Sequence, residues 1–266
     1  MNNSQIDNLL PAVLRLLSTH ATDFIVPGVV LACWEIAVRL FNIPRYLLPP
    51  PTEIFNLIIA QFPLLFHEAG ITLLEAILGF ALGCGAAFFT GSFFGVWRLV
   101  ERAAMPMFVA LQAVPLVAIA PLLIIWLGNG LGSKVVMAAL ICFFPMTINC
   151  ATGIKNTSPE MVDLMKMVGA TPFQLYWKAR LPSALPAIFS GLKISASFSV
   201  IGAIVSELAG ADKGIGYQIL SSSYRTDTPM LFAAVFFAAA SGIGFYQFVC
   251  FIERATFRKM GLTHRE

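Results

Sequence analysis

Long stretches without a charged residue constrain this chain more than any other feature of its sequence. A helix that crosses the roughly 30 Å of hydrocarbon in a bilayer needs about 20 predominantly apolar residues. Four uncharged stretches of 20 to 31 residues meet that length: 76–97, 103–133, 135–154 and 228–252. The chain is therefore expected to span a membrane several times.

The composition supports the same environment. Of the 266 residues, 58% are hydrophobic and 12% are charged, whereas soluble domains carry about 25% charged residues. The net charge of +3 is small and no basic face is concentrated, which excludes a nucleic-acid binder as well as a soluble enzyme. Five cysteines lie in apolar stretches without a CxxC spacing, so neither a disulfide framework nor a zinc site is predicted.

Two further apolar stretches carry charges that a membrane helix tolerates. In the first, Glu35 precedes Arg39 by four residues, the favourable order for a pair within a helix. In the second, Lys193 is expected to extend towards the nearer interface. We therefore predict six spans: 24–41, 72–96, 103–126, 135–154, 183–207 and 229–252.

Lysine and arginine counts predict the orientation. With the N-terminus inside, 12 of these residues lie on the cytoplasmic side and five lie outside. The predicted fold is an all-α integral membrane protein with six transmembrane helices and both termini in the cytoplasm. Its parts are a cytoplasmic or interfacial segment (1–23), the first helix with a periplasmic loop (24–71), a core transmembrane domain (72–252) and a cytoplasmic tail (253–266).

Small residues and prolines distinguish two spans. Span two presents a groove of small residues along one face, suited to close packing of another helix within the subunit or, alternatively, at a subunit or pore interface: Gly79, Gly83, Ala87, Gly91 and Gly95. Span three contains Pro106, Pro115 and Pro121, which predict a kink. Polar residues in the spans are few, and no relay or ring of carboxylates is expected. The candidates for a transport pathway are Gln112, Pro115, Asn149, Ser195 and Ser199.

The cytoplasmic segment 155–182, here called the coupling loop, is much longer than a turn requires. Ser158, Pro159 and Glu160 are typical of a helix start, and Gly169 of a helix end. Between them an apolar stripe follows helical spacing at Met161, Leu164, Met165 and Val168. Thr171-Pro172 begins a second predicted helix, and Leu181-Pro182 is expected to end the unit. The stripe could rest on the bilayer, but its short, capped, methionine-rich form favours a groove on a soluble partner.

At the coupling loop the sequence resembles the permease subunits of bacterial ABC importers that depend on a substrate-binding protein. Their signature is Glu-Ala-Ala, three residues, Gly, nine residues, Ile, any residue and Leu-Pro. Here the corresponding residues are Asp163-Leu164-Met165, Gly169 and Ala179-Arg180-Leu181-Pro182, with the full spacing retained. Similarity to the branch for sulfonates, taurine, nitrate and thiamine-precursor pyrimidines extends to other segments, namely 48–52, 114–122, 126–128 and 214–217.

The resemblance implies a transport function without catalysis in this chain. Two permease copies would form the pore in the bacterial inner membrane, and a periplasmic or lipid-anchored binding protein would deliver the solute. Each copy would dock a cytoplasmic ATPase, which carries the ATP and Mg, and this chain would need no cofactor of its own. The implied ATPase-coupling residues are Met161, Asp163, Leu164, Met165, Val168, Gly169, Ala170, Leu181 and Pro182.

Other functions fit the sequence less well. An intramembrane protease or a metal site would need His or paired Asp at membrane depth, which the spans lack. The glycine-rich run 128–134 lacks the Gly-Lys order of a phosphate loop, so it is interpreted as a periplasmic turn. An ion-coupled secondary transporter or channel is the remaining alternative. The uncharged spans favour a neutral or zwitterionic solute, such as a thiamine-precursor pyrimidine, over nitrate.

Overall fold

The computed structural model describes residues 25–260 of the chain. Within that range the backbone forms helices and short connections without a strand, as predicted for an all-α protein. The predicted interfacial segment 1–23 and the final residues 261–266 of the predicted tail lie outside the described residues.

The helices follow one another with short connections. Most of the connections are shorter than seven residues, which leaves neighbouring helices adjacent in space. The elements are α1 (25–40), α2 (Pro51–Ala60), α3 (Phe62–Val96), α4 (Arg98–Ala113), α5 (Leu116–Leu127), α6 (Leu131–Lys155), α7 (Pro159–Met167), α8 (Pro172–Leu175), a π-helical turn (Tyr176–Arg180), α9 (Leu181–Gly210), α10 (Ile215–Tyr224) and α11 (Thr228–Lys259).

Four helices in the described part are long and apolar enough to cross a membrane: α3, α6, the continuous stretch Pro172–Gly210 and α11. They coincide with predicted spans two, four, five and six. Helices α4 and α5 meet at 93° and supply a fifth crossing if the bent pair counts as one. Helix α1 has 16 described residues and falls within the first predicted span.

The prolines of the third predicted span account for its bend. Pro115 lies between α4 and α5, where Val114 and Pro115 adopt extended backbone. Proline cannot donate a backbone hydrogen bond and disfavours helical geometry in the residue before it, so the helix stops there. Pro106 and Pro121 lie inside α4 and α5 respectively. The predicted kink is therefore confirmed.

Helices α3, α6 and α9 form the centre of the molecule, and the small residues of α3 allow the contact. A Cβ atom added at Gly91 would lie 2.7 Å from Cys150 Cβ, and one added at Gly95 would lie 2.7 Å from Ile154 Cβ. Both neighbours belong to α6, so the groove packs within the subunit, as expected. On the other side of α6, Ser195 Oγ of α9 donates to the Cys142 carbonyl at 3.1 Å.

Several helices begin or end beyond the predicted boundaries. Helix α3 begins at Phe62, ten residues before the predicted start at 72, so His67 and Glu68 are helical. Helix α6 begins at Leu131, which leaves only the first residues of the predicted 128–134 turn outside the helix. Lys134 is therefore within α6 and buried, and its ammonium donates to the Asn129 carbonyl at 3.0 Å and to Asn129 Oδ1 at 2.5 Å. A local cap of this kind was not visible in the hydropathy pattern.

Two ion pairs lie within the predicted spans or at their ends, and the sequence predicted only one of them. Arg39 Nε donates to Glu35 Oε1 at 2.6 Å, which confirms the predicted pair in α1. Lys193 forms a pair that the sequence did not predict. Its ammonium lies 3.0 Å from Glu253 Oε2 of α11, the first residue past the predicted span end at 252, and the Glu253 residue is buried. The pair joins α9 to α11 because α11 continues seven residues past the predicted span end.

Candidate functional site

The first half of the coupling loop is a helix with well-formed ends. Ser158 Oγ accepts a 3.2 Å hydrogen bond from the Met161 amide, and Pro159 occupies the first turn. At the other end Gly169 adopts a φ of 73°, and the Ala170 amide donates to the Met165 carbonyl at 2.9 Å. This is a Schellman arrangement, in which the left-handed residue favours glycine. The sequence predicted both ends of α7 correctly.

The apolar stripe on α7 faces outwards. Met161, Leu164 and Val168 are exposed, while Met165 is half-buried against the rest of the subunit. Met167, which the helical spacing did not include, is the most exposed of the group at 84%. Since clustered exposed apolar side chains mark surfaces that a protein or a membrane covers, the face is available for an interface.

The charged residues of α7 add little stability. Lys166 Nζ lies 3.3 Å from Asp163 Oδ1, and both side chains are more than 60% exposed. Exposed ion pairs of this kind contribute about 0.2–1 kcal/mol. Asp163 is therefore free to exchange its partner when another surface approaches.

The second half of the loop does not end where the sequence predicted. Thr171 and Gln174 form a capping box at the start of α8, with distances of 2.9 and 3.3 Å. The helix then continues through the π-helical turn, and Leu181 and Pro182 are the first residues of α9 rather than the end of a separate unit. Proline is accepted there because the first turn needs no amide donor from it.

A polar cavity of about 530 Å³ lies between α7 and the neighbouring ends of α3 and α6. Its charged lining residues carry more positive than negative charge: Arg98, Lys155, Asp163, Lys166 and Arg180. Lys155 Nζ lies 2.5 Å from Glu101 Oε1, which ties the end of α6 to α4. The remaining positive charge would attract carboxylates or phosphates towards the coupling loop.

The residues predicted to line a pathway fall into two groups. Gln112 and Pro115 are exposed at the bend between α4 and α5. Ser195 and Ser199 have no exposed surface, and Ser199 Oγ donates to the Ala196 carbonyl at 2.8 Å. Asn149 is half-buried, and its amide nitrogen donates to the Pro145 carbonyl at 2.8 Å. A pathway role for the two serines would require α6 and α9 to separate, whereas Gln112 and Pro115 already lie on the surface.

An apolar cavity of about 340 Å³ lies beside the bend. Helices α4, α5 and α6 line it with the side chains Phe108, Leu111, Val114, Ile119, Leu140, Phe143 and Phe144. The Phe108 ring lies 5.8 Å from Phe143 and 5.6 Å from Phe144, measured between centroids. Such an aromatic surface suits a flat ring or an apolar helix face.

The sequence interpretation missed a buried acidic cluster. No relay or ring of carboxylates was predicted in the spans, yet Glu68, Glu75 and Glu207 are all buried and lie close together. Thr72 Oγ1 donates to Glu207 Oε1 at 2.7 Å. The residues are far apart in sequence, and the only available signal was that Thr72 follows Glu68 by four residues on one helix face. Within the described residues, no group of three or more His, Cys, Asp or Glu is arranged to hold a metal ion.

Comparisons with known proteins agree with this architecture. Residues 79–260 match the family model described as "Binding-protein-dependent transport system inner membrane component". A solved amino acid ABC transporter, crystallised with histidines, superposes with a TM-score of 0.59 at 18% sequence identity, covering 76% of this chain and 98% of that one. At this identity the similarity establishes the fold alone.

Three relatives extend the similarity over most of the chain. A probable ABC transporter permease protein of Haemophilus influenzae is 36% identical, covering 88% of this chain and 94% of its own length. The formylaminopyrimidine transport permease protein ThiX of Halalkalibacterium halodurans is 36% identical, covering 79% of this chain and 84% of its own length. The riboflavin transport system permease protein RibX of Chloroflexus aurantiacus is 33% identical over 86% of each.

These matches confirm the resemblance found at the coupling loop and remove the alternative of an ion-coupled transporter or channel. The family consists of transport components rather than catalysts. This multi-pass membrane protein therefore belongs to the inner-membrane components of binding-protein-dependent transport systems and is an ABC transporter permease.

Proposed function

We propose that two copies of this chain form the membrane pathway of an ATP-driven importer in the bacterial inner membrane. In this proposal each copy has six spans, with α1 as the first and the bent pair α4–α5 as the third. Both termini are cytoplasmic, which agrees with the twelve-to-five distribution of Lys and Arg. The coupling loop then lies in the cytoplasm, and α10 lies on the opposite side.

The exposed apolar stripe of α7 is the observation that carries the proposal. Leu164 and Met167 are exposed on a helix whose two ends are fixed by caps, so docking orders few additional torsions. A groove on a cytoplasmic ATPase would cover this stripe, and the positive cavity behind α7 would attract acidic groups of the same partner. ATP and Mg would be bound by that partner and not by this chain.

The mechanism in this proposal is alternating access. ATP binding would bring the two ATPases together and displace α7, and the continuous helix Pro172–Gly210 would carry that displacement through the membrane. The pathway would open towards a binding protein outside and return after hydrolysis. Docking must differ in free energy between the two states, since otherwise no work could be transmitted.

The solute in this proposal is a small organic molecule with a flat ring, of the thiamine-precursor pyrimidine class. A formylaminopyrimidine permease is 36% identical, whereas permeases named for aliphatic sulfonates and for taurine are 31% and 27% identical. The aromatic cavity near Phe108 suits a ring, and the exposed amide of Gln112 could hydrogen-bond a neutral solute. Sulfonate, taurine and nitrate remain the competing classes.

Copurification of the tagged chain with its ATPase tests the docking surface. We expect the wild-type protein to retain the ATPase and Leu164→Glu to lose it, because a carboxylate would be buried in an apolar groove. Leu47→Glu is the matched control, since Leu47 is also exposed but lies between α1 and α2. Equal recovery of the ATPase with all three proteins would contradict docking through α7.

The solute class is tested on the partner binding protein. Calorimetric titration with a formylaminopyrimidine, taurine and nitrate should show tight binding of the pyrimidine. ATP hydrolysis by the assembled transporter should then rise when the binding protein and that solute are added together. Tight binding of nitrate without binding of the pyrimidine would overturn the assigned class and leave the docking proposal unaffected.

A further inference from the structure

The start of α10 is held by side chains from other helices. No side chain near it in sequence caps this helix. Instead, the Gly214 amide donates to Glu68 Oε2 at 2.5 Å, the Ile215 amide to Thr72 Oγ1 at 2.8 Å, and the Gly216 amide to Glu207 Oε2 at 2.6 Å. The amide groups that every helix start leaves without an internal acceptor are thus satisfied by α3 and α9.

Glu207 connects the parts of this network. One of its oxygens accepts from Gly216, and the other accepts from Thr72, which itself accepts from Ile215. Glu207 has no exposed surface and Thr72 is 1% exposed. Because a buried donor left without an acceptor is costly, α10 cannot leave α3 and α9 together without losing all three bonds, and leaving α9 alone costs the Gly216 bond to Glu207.

Two glycines allow the backbone at the start of α10 to approach the Glu207 carboxylate closely. Gly214 has a φ of 98°, and a Cβ atom added there would overlap the Glu207 carboxyl group. A Cβ atom added at Gly216 would lie 2.7 Å from Glu207 Cβ. The Gly-Ile-Gly sequence is therefore fitted to this one side chain, with the isoleucine fully buried between the glycines.

Glu207 also lies at the end of α9 remote from the coupling loop. Helix α9 has 30 residues, which corresponds to about 45 Å at 1.5 Å per residue. Pro186 removes one hydrogen bond near its beginning, but the helix continues through it. One continuous helix therefore joins Leu181, beside the coupling loop, to Glu207, which binds the start of α10.

We propose that Glu207 is the positioning residue through which α9 moves α10, so that events at the coupling loop are transmitted to the opposite end of the permease. This inference rests on the proposed ATPase docking for its driving force. The hold of Glu207 on α10 is a property of the isolated permease. The two parts can therefore be tested separately.

Hydrogen–deuterium exchange of the purified permease tests the hold. Glu207→Met keeps the length of the side chain but removes both acceptor oxygens, and we expect exchange at residues 214–216 to become about tenfold faster. Glu75→Met is the matched control, because Glu75 is buried in the same cluster but accepts no hydrogen bond from α10 and has an oxygen without a partner in the described structure. Unchanged exchange in Glu207→Met would overturn the inference.

The same measurement on the assembled transporter, with and without ATP and vanadate, tests the transmission. We expect the nucleotide to change exchange in α10 of the wild type and of Glu75→Met, and to have no effect there in Glu207→Met. Glu207→Gln should keep the response that Glu207→Met loses. Its amide oxygen can accept from Gly216, and its amide nitrogen can donate to the Thr72 hydroxyl. That hydroxyl can then donate to the Glu68 carbonyl oxygen, which lies 3.2 Å away.

A merely structural role would lower the yield of Glu207→Met and leave the nucleotide response of the surviving protein intact, which would overturn the inference. A wild-type transporter that hydrolyses ATP without any response in α10 would also overturn it, and the proposed function would stand. Failure of any ATPase to assemble would overturn the proposed function and the transmission with it. Exchange in the isolated permease would still decide the hold on α10.

Discussion

The phenolic hydroxyl of Tyr176 donates a 2.9 Å hydrogen bond to Ser92 Oγ and thereby ties the coupling loop to α3. Tyr176 lies at the start of the π-helical turn, and Ser92 lies near the end of the long α3. The loop is thus held by a side-chain contact as well as by the chain that enters and leaves it.

Tyr176→Phe should weaken this attachment while keeping the ring. Loss of one half-buried hydrogen bond is expected to cost about 1 kcal/mol, measured as a lower midpoint of thermal unfolding of the purified permease. Trp177→Phe is the control, because Trp177 is exposed and has no hydrogen bond to α3 in the described structure. Equal losses in the two variants would show that the hydroxyl contact contributes nothing specific.

Lys193→Met should destabilise the permease. It would leave the buried Glu253 carboxylate without its partner, and because the Lys193 side chain is 22% exposed we expect a loss of about 1–3 kcal/mol. The double variant Lys193→Met with Glu253→Leu should recover much of that loss, since the unpaired charge is removed. A double variant as unstable as the single one, by thermal unfolding, would contradict this account of the pair.

Gly91→Ala should disturb the packing of α3 on α6. The added methyl group would lie 2.7 Å from Cys150 Cβ and from the Thr147 carbonyl oxygen, and overpacking of this kind costs about 1–3 kcal/mol. Gly85→Ala is the matched control in the same helix, because nothing lies within 4 Å of its added Cβ atom. Thermal unfolding should show Gly85→Ala unchanged or slightly stabilised, since alanine favours the helix. Destabilisation of both variants alike would instead point to a general intolerance of the helix.

Gly169→Val should impair transport without preventing insertion into the membrane. The φ of 73° is strained for a β-branched residue, although no atom lies within 4 Å of an added Cβ. Gly169→Asn should retain more activity, because asparagine tolerates the left-handed region. Uptake by membrane vesicles, normalised to the amount of inserted protein, distinguishes the two, and equal uptake would show that this helix end is not required for coupling.

The sequence predicts those features of the fold that are determined by residues close together in the chain. Ser158 and Gly169 bound α7 as expected because caps are determined by a few adjacent residues. The bend at Pro115 was equally accessible, since proline acts on its own helix. The uncharged stretches identify the long apolar helices, but their ends extend past the charges at Lys134 and Glu253, because Asn129 and Lys193 respectively satisfy these two charges.

The features that escaped prediction depend on residues distant in the chain. Glu207 is 135 residues from Thr72, and nothing near either residue indicates that they hydrogen-bond. The same holds for Lys193 and Glu253, which are 60 residues apart. Helix packing alone brings these side chains together, so a pattern read along one helix cannot reveal them.

The π-helical turn has a consequence for how the coupling loop is aimed. A π-helical turn contains one residue more than an α-helical turn, and each residue of an α-helix corresponds to a rotation of about 100°. Removing one residue from Tyr176–Arg180 would therefore turn α8 by about a quarter of a circle relative to α9. This one inserted residue therefore determines the direction in which Phe173, and the part of the coupling loop before it, faces a partner.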